Sequence, residues 1–145
     1  MIKIGCISQI NSDDYDEVWW IVRAPQREPV NEKHVLELSP SKELFKDYRD
    51  VFHAGRFNEE YFLTVYIPQY LRELVANKQA MRILNLLREE SLQKNIILGC
   101  YCESEMLCHR SIVAGILLGM GAEIETDDRY LQYYNMFKMI NDVKK

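Results

Sequence analysis

Between Cys100 and Ser111 the chain reads Cys-Tyr-Cys-Glu-Ser-Glu-Met-Leu-Cys-His-Arg-Ser, the one stretch where several chemically capable side chains crowd together. An apolar run, Ile96 to Gly99, leads into it, and the apolar face of Ile112, Val113, Ile116 and Leu117 follows it. The cluster therefore bridges a buried strand and a helix. A helix that begins near Cys108 leaves its first amides without intrahelical partners, which makes an anion site. Arg110 and a protonated His109 would strengthen it, with Ser111 and Cys102 beside them, and a phosphate or carboxylate fits there. The same field favours the thiolate of a cysteine at a helix start. On that reading Cys108 is the nucleophile and His109 the general acid or base. Cysteine-based phosphatase chemistry is excluded, because that loop closes on an Arg six positions after its Cys and none of these cysteines has one.

Other uses of the cluster follow from the same residue types. Cys100, Cys102, Cys108 and His109 add up to the four soft ligands of a structural zinc. Adjacent ligands at a helix start diverge by about 100°, so closing four ligands on one ion needs an irregular loop, and no stoichiometric zinc is expected. A thiol redox or sensor role would use Cys102 and Cys108, with Cα atoms within about 7 Å in some state. Cysteine is also among the most buried residue types, so Cys6, Cys100 and Cys102 fit as small core groups. Cations at a helix amino end call for an anion or an acidic neighbour, and Glu103 or Glu105 would serve in a purely structural network.

The elements that would position these groups alternate between strand and helix. Ile2 to Gln9 reads as a first strand, ended by the turn formers from Asn11 to Asp14. Val18 to Val22 is a second, and its continuous apolar run suggests cover on both faces. Arg23 follows at its carboxyl end. Pro25 and Pro29 keep the next segment irregular, and a helix opens at Ser39-Pro40-Ser41 and closes at Gly55. Asn58, Glu59 and Glu60 start another, which Pro68 should kink or split. Met81, Ile83, Leu84 and Leu87 mark a further helix. After it come the strand Ile96 to Cys100, the helix past Cys108 stopped by Gly119 and Gly121, a short strand from Ala122 to Glu125, and a last helix capped by Asp127. Tyr66, Tyr70 and Phe62 read as core, as do Tyr130, Tyr133 and Tyr134. His34 and His53 stand alone. The expectation is an α/β fold, a mostly parallel sheet of about four strands flanked by helices, with ligands beyond the carboxyl ends of the strands. Arg23 and Arg110 should then meet at one pocket.

A length of 145 residues fits one domain, 1–145, and 48% apolar with 11% aromatic residues is the composition of a folded core. Scattered positive residues and a net charge of -4 argue against nonspecific binding of nucleic acid. The amino end is too brief and polar for a signal peptide, and no run approaches a membrane span. A cytoplasmic location with reduced thiols is expected.

Val22-Arg23, then Leu38-Ser39-Pro40-Ser41 with Leu44, His53, Phe57, Phe62, Tyr66 and Leu71, then an apolar strand leading to Cys-His-Arg and a helix, resembles the family called domain of unknown function 488, of bacteria, archaea and phages. The likeness spans Ile21 to Gly121. It implies a compact α/β protein in which Arg23, Cys108, His109 and Arg110 are the positions of interest, with Cys100 and Cys102 as an extra feature of a subgroup. The resulting expectation is a pocket for a phosphate-bearing small molecule, such as a nucleotide or a nucleic-acid end, held by Arg23, Arg110, Ser111 and Cys102 without metal or cofactor. A structural or interaction module with a Cys/His zinc site and a thiol redox or sensor protein are the alternatives.

Overall fold

A computed structural model describes residues 1–24, 32–102 and 104–144. Pro25, Pro29 and Glu103 lie outside the described residues. Four strands, β1 (Ile2–Cys6), β2 (Glu17–Trp20), β3 (Glu32–His34) and β4 (Ile96–Cys100), form a parallel sheet in the order β1-β4-β2-β3. The helices are α1 (Lys42–His53), α2 (Glu59–Tyr61), α3 (Ile67–Ala76), α4 (Lys78–Glu90), α5 (His109–Gly119) and α6 (Leu131–Lys144).

The central strands explain the parallel arrangement. All five residues of β4 are buried, and Trp19 and Trp20 are only 3% and 1% exposed although they point to opposite faces. Gly5 and Gly99, neighbours in the β1–β4 ladder, leave room on one face for Ile7 and Ile10. A Cβ at Gly99 would stand 2.9 Å from both isoleucine side chains.

Several strand limits differ from the expected ones. The first strand stops at Cys6, because Ile7–Gln9 turns into a 3-10 helix. β2 ends at Trp20, although Ile21 still donates its N–H to the Gly99 carbonyl at 3.0 Å. Ala122 to Glu125 is not a strand. Ile124 alone bridges to Ile2, since the chain turns at Gly121 and again at the Asp127 cap. The fourth strand is instead the charged Glu-Lys-His of β3 at the sheet edge. Opposite the site, Glu17 accepts from Trp19 Nε1 at 3.2 Å and from Lys94 at 2.8 Å, and pairs closely with Lys33 of β3. Burial by itself would raise the Glu17 pKa, but hydrogen bonds from Lys33 and Lys94 overcome it and bring the group down to about 2.

Helix ends follow the local chemistry. Ser41 caps α1 by accepting from Leu44 N at 3.1 Å. Pro40 sits just before the cap. Gly55, at φ +70°, lets the Arg56 N–H reach the Val51 carbonyl at 3.0 Å, a Schellman close. Gly121, at φ +87°, ends α5 the same way through Ala122 and Leu117. Gly119 is no part of that stop. It is the last residue of α5, and its missing side chain admits Tyr134 of α6. Pro68 neither ends nor splits its helix. It cannot donate an N–H and its ring crowds the preceding turn, so residues Phe62–Tyr66 open into a π turn that carries α2 into α3. No helix among the described residues is long and apolar enough to cross a membrane.

Candidate functional site

The carboxyl ends of β2 and β4 lie side by side, and the chain leaves each of them toward one cavity of ≈ 120 Å³. Val22, Arg23 and Ala24 supply the wall beyond β2. Cys100, Tyr101 and Cys102 supply the wall beyond β4, and Leu107, Cys108 and His109 enter at the start of α5. Pro40, Phe45 and Tyr48 close it from α1 and its cap, and Tyr66 from the π turn. The π turn matters here because it places Tyr66 in an aromatic column. Phe62 stacks on Tyr66 at 5.4 Å, Tyr66 on Tyr70 at 6.2 Å, and Tyr70 meets the His109 ring edge-on at 5.8 Å. Burial, with nearby thiols adding to it, raises Tyr48 to about 12 and Tyr66 and Tyr70 well above the ordinary phenol range. These walls present neutral rings and hydroxyls.

Three thiols meet at the floor. The Cys100 and Cys108 sulfurs are 2.8 Å apart, and the Cys100, Cys102 and Cys108 sulfurs all lie within 4.8 Å of one another. Cys108 is the N-cap of α5, as expected, but its side chain caps nothing. Hydrogen bonds from Cys102 and Cys108, helped by the charge of Arg110, hold Cys100 below the ordinary thiol range. Burial and its neighbours push Cys108 up, so it is a neutral thiol. His109 Nε2 donates to the Ile21 carbonyl at 2.5 Å, since that oxygen can only accept, which leaves Nδ1 toward Cys108 Sγ at 3.7 Å.

The structure thus brings Arg23, Cys102, Cys108 and His109 to one cavity and does not bring Arg110 or Ser111 there. Arg110 lies behind the thiols, 3% exposed, donating from Nη1 to Cys100 Sγ at 3.3 Å and to the Cys102 carbonyl at 2.9 Å. Ser111 is fully buried and donates back to the Cys108 carbonyl at 2.7 Å. The two arginines therefore do not share a pocket. Glu105 is not the acidic neighbour of His109 and Arg110: among the described residues it enters no ion pair, and its carboxylate accepts from Tyr130 Oη at 2.7 Å. Cys6 stays apart, 3.3 Å from Ser8 Oγ.

The expected divergence of ligands is confined to His109. Because residues 101, 102 and 104–108 form neither strand nor helix, Cys108 turns back onto the Cys100–Cys102 pair, and among the described residues these three are the side chains grouped closely enough to hold an ion. The sequence offers Cys100 both as a zinc ligand and as a small core group, and its place as the last residue of a buried strand is the signal that puts its thiol at the site. Phe45 and Tyr48 of the cavity wall carry no distinguishing pattern in the sequence.

Fold and site together define a small parallel α/β protein with a thiol-floored, aromatic-walled cavity at its strand ends. The chain belongs to the DUF488 family: it matches DUF488-N3a, described as the active DUF488-N3 subclade, over residues 3–121. No curated protein and no solved structure matches it.

Proposed function

We propose that this is a cytoplasmic protein whose cavity binds a small anionic ligand with a flat ring, of the nucleotide class. The ring rests among Phe45, Tyr48 and Tyr66 and the anionic group against Arg23. The observation that carries this reading is the lining itself, four aromatic side chains, Phe45, Tyr48, Tyr66 and Tyr101, and one arginine, Arg23, around an apolar space. A site of this kind takes its affinity from ring contact and its orientation from a few polar groups. Among the described residues no ion pair engages Arg23, so its guanidinium is available for the two-pronged contact that suits phosphate. Arg110 supports the floor and does not touch the ligand.

A thermal-shift panel tests this with nucleoside monophosphates, the matching nucleosides and inorganic phosphate. A monophosphate should stabilise the protein more than either half alone. Arg23→Ala should weaken it by about 1.5–3 kcal/mol, roughly ten- to a hundredfold in affinity, and leave the nucleoside unaffected. A monophosphate that stabilised wild type and Arg23→Ala equally would place the site elsewhere.

A further inference from the structure

Three of the four cysteines converge on one point, more than a disulfide uses and more polar than a core requires. Two thiolates sharing a tetrahedral ion through bonds of about 2.3 Å stand roughly 3.8 Å apart. The sulfur separations, 2.8 Å for Cys100 and Cys108 and no more than 4.8 Å for any pair, bracket that spacing. A second observation concerns Arg110. It is 3% exposed, its Nε has no hydrogen-bond partner, and no carboxylate lies within 4.0 Å of it among the described residues. A buried guanidinium calls for a counter-charge, and its Nη1 is aimed at Cys100 Sγ.

We propose that Cys100, Cys102 and Cys108 form a three-thiolate site for a soft divalent ion of the zinc class, with the fourth coordination position open to the cavity. Charge selects the ion. Three thiolates carry three negative charges, a divalent ion leaves one, and Arg110 balances it. A monovalent ion would leave a buried negative charge, and a trivalent one would leave Arg110 unmatched. Binding forms three metal–sulfur bonds, every thiol still protonated gives its proton to solvent, and no electron is transferred. Arg110 acts from behind as a donor to a ligand sulfur, the arrangement that orients metal ligands. His109 stays outside the ligand set because its ring nitrogens do not come within 4.8 Å of all three sulfurs, although Nε2–H on the Ile21 carbonyl leaves Nδ1 toward Cys108 Sγ. All three cysteines line the cavity, and three protein ligands with an open position are what catalytic zinc sites have. The site stands whatever ligand fills the cavity.

The test starts from the whole chain reduced with a phosphine and stripped with a chelator. It is then reloaded with zinc or cobalt(II), desalted and analysed for metal. Wild type and Cys6→Ser should retain one ion per chain and, with cobalt, show a sulfur-to-metal charge-transfer band in the near ultraviolet. Cys102→Ser should lose the ion on desalting, or keep cobalt with a band reduced by about a third, as removal of one of three sulfur ligands requires. Should that variant not fold, alkylation of wild-type Cys102 should be blocked by zinc and not by magnesium. Reduced wild type that keeps neither metal, a Cys102→Ser variant that keeps cobalt with an undiminished band, or an alkylation rate indifferent to zinc would each overturn the proposal.

Discussion

Gly115→Ala should be one of the most damaging single-methyl changes in the protein. A Cβ at Gly115 would stand 2.0 Å from the Tyr130 carbonyl oxygen, 2.8 Å from its carbonyl carbon and 3.2 Å from its Cβ. The first two are backbone atoms, so no rotamer change relieves them. Alanine gains about 1 kcal/mol over glycine in a helix interior. Against this, α5 must move from the Tyr130 turn until the 2.0 Å contact reaches roughly 3.2 Å, a shift of about 1 Å, which forfeits a quarter to a half of the dispersion energy of each contact it opens. Overpacking of this kind costs typically 1–3 kcal/mol and occasionally more, and an unyielding carbonyl puts it at the upper end. The net expectation is a loss of about 2 kcal/mol, or 4–8 °C in melting temperature for a chain of this size. Gly119→Ala meets Tyr134 Cγ at 2.0 Å and Cβ at 2.5 Å, but at the last residue of α5, where the helix end can give, and should lose about half as much. Urea unfolding at constant m-value measures both. Gly115→Ala at or above wild-type stability would refute the close approach of α5 to the Tyr130 turn, and with it the tight seating of the helix whose cap is Cys108.

Further outcomes follow from the same contacts. Glu17, held at about 2 against an ordinary 4.5, contributes stability that is fully present above pH 4.5 and is lost as the pH falls toward 2. With its lysines partly exposed and screened this is about 1 kcal/mol, and urea titrations between pH 2 and 6 should show that loss in wild type and not in Glu17→Gln. Tyr70→Phe removes a fully buried donor that sits 2.5 Å from the Leu38 carbonyl and should cost about 1–3 kcal/mol in the same assay, whereas a change under 0.5 kcal/mol would mean that the bond does not hold α3 to the Leu38 turn. Arg110→Met should lose about 2–4 kcal/mol, because the Cys102 carbonyl and Cys100 both lose their donor. It should also expose the thiols to faster alkylation, and unchanged thiol reactivity would show that Arg110 does not anchor the floor.

How much of this was legible in the sequence depended on whether the signal was local. The apolar runs at Trp19–Trp20 and Ile96 onward carry doubly covered strands in their residue types, and Ser41, Asn58, Gly55 and Gly121 announce helix ends through cap and φ chemistry. β3 was invisible because a charged edge strand, half in solvent, has no apolar pattern. Gly119 was misread because a glycine near a helix end looks like a stop, and close approach of another helix is a tertiary fact. For the site, the strand-to-helix passage fixed Cys102, Cys108 and His109 at the strand ends, and Arg23 joined them through the parallel pairing of β2 with β4. Arg110 could not be placed, because adjacent residues at a helix start face different ways, and which one meets the cavity depends on how α5 is rotated against β4.

The central claim, a ring-and-anion site at the strand ends, is tested most directly by crystals soaked with a nucleoside monophosphate. The account predicts the base among Phe45, Tyr48 and Tyr66 and the phosphate within ion-pair distance of Arg23, with the thiols of Cys102 and Cys108 on the floor beneath. Density for the nucleotide at any other surface, with this cavity left to solvent, would contradict it.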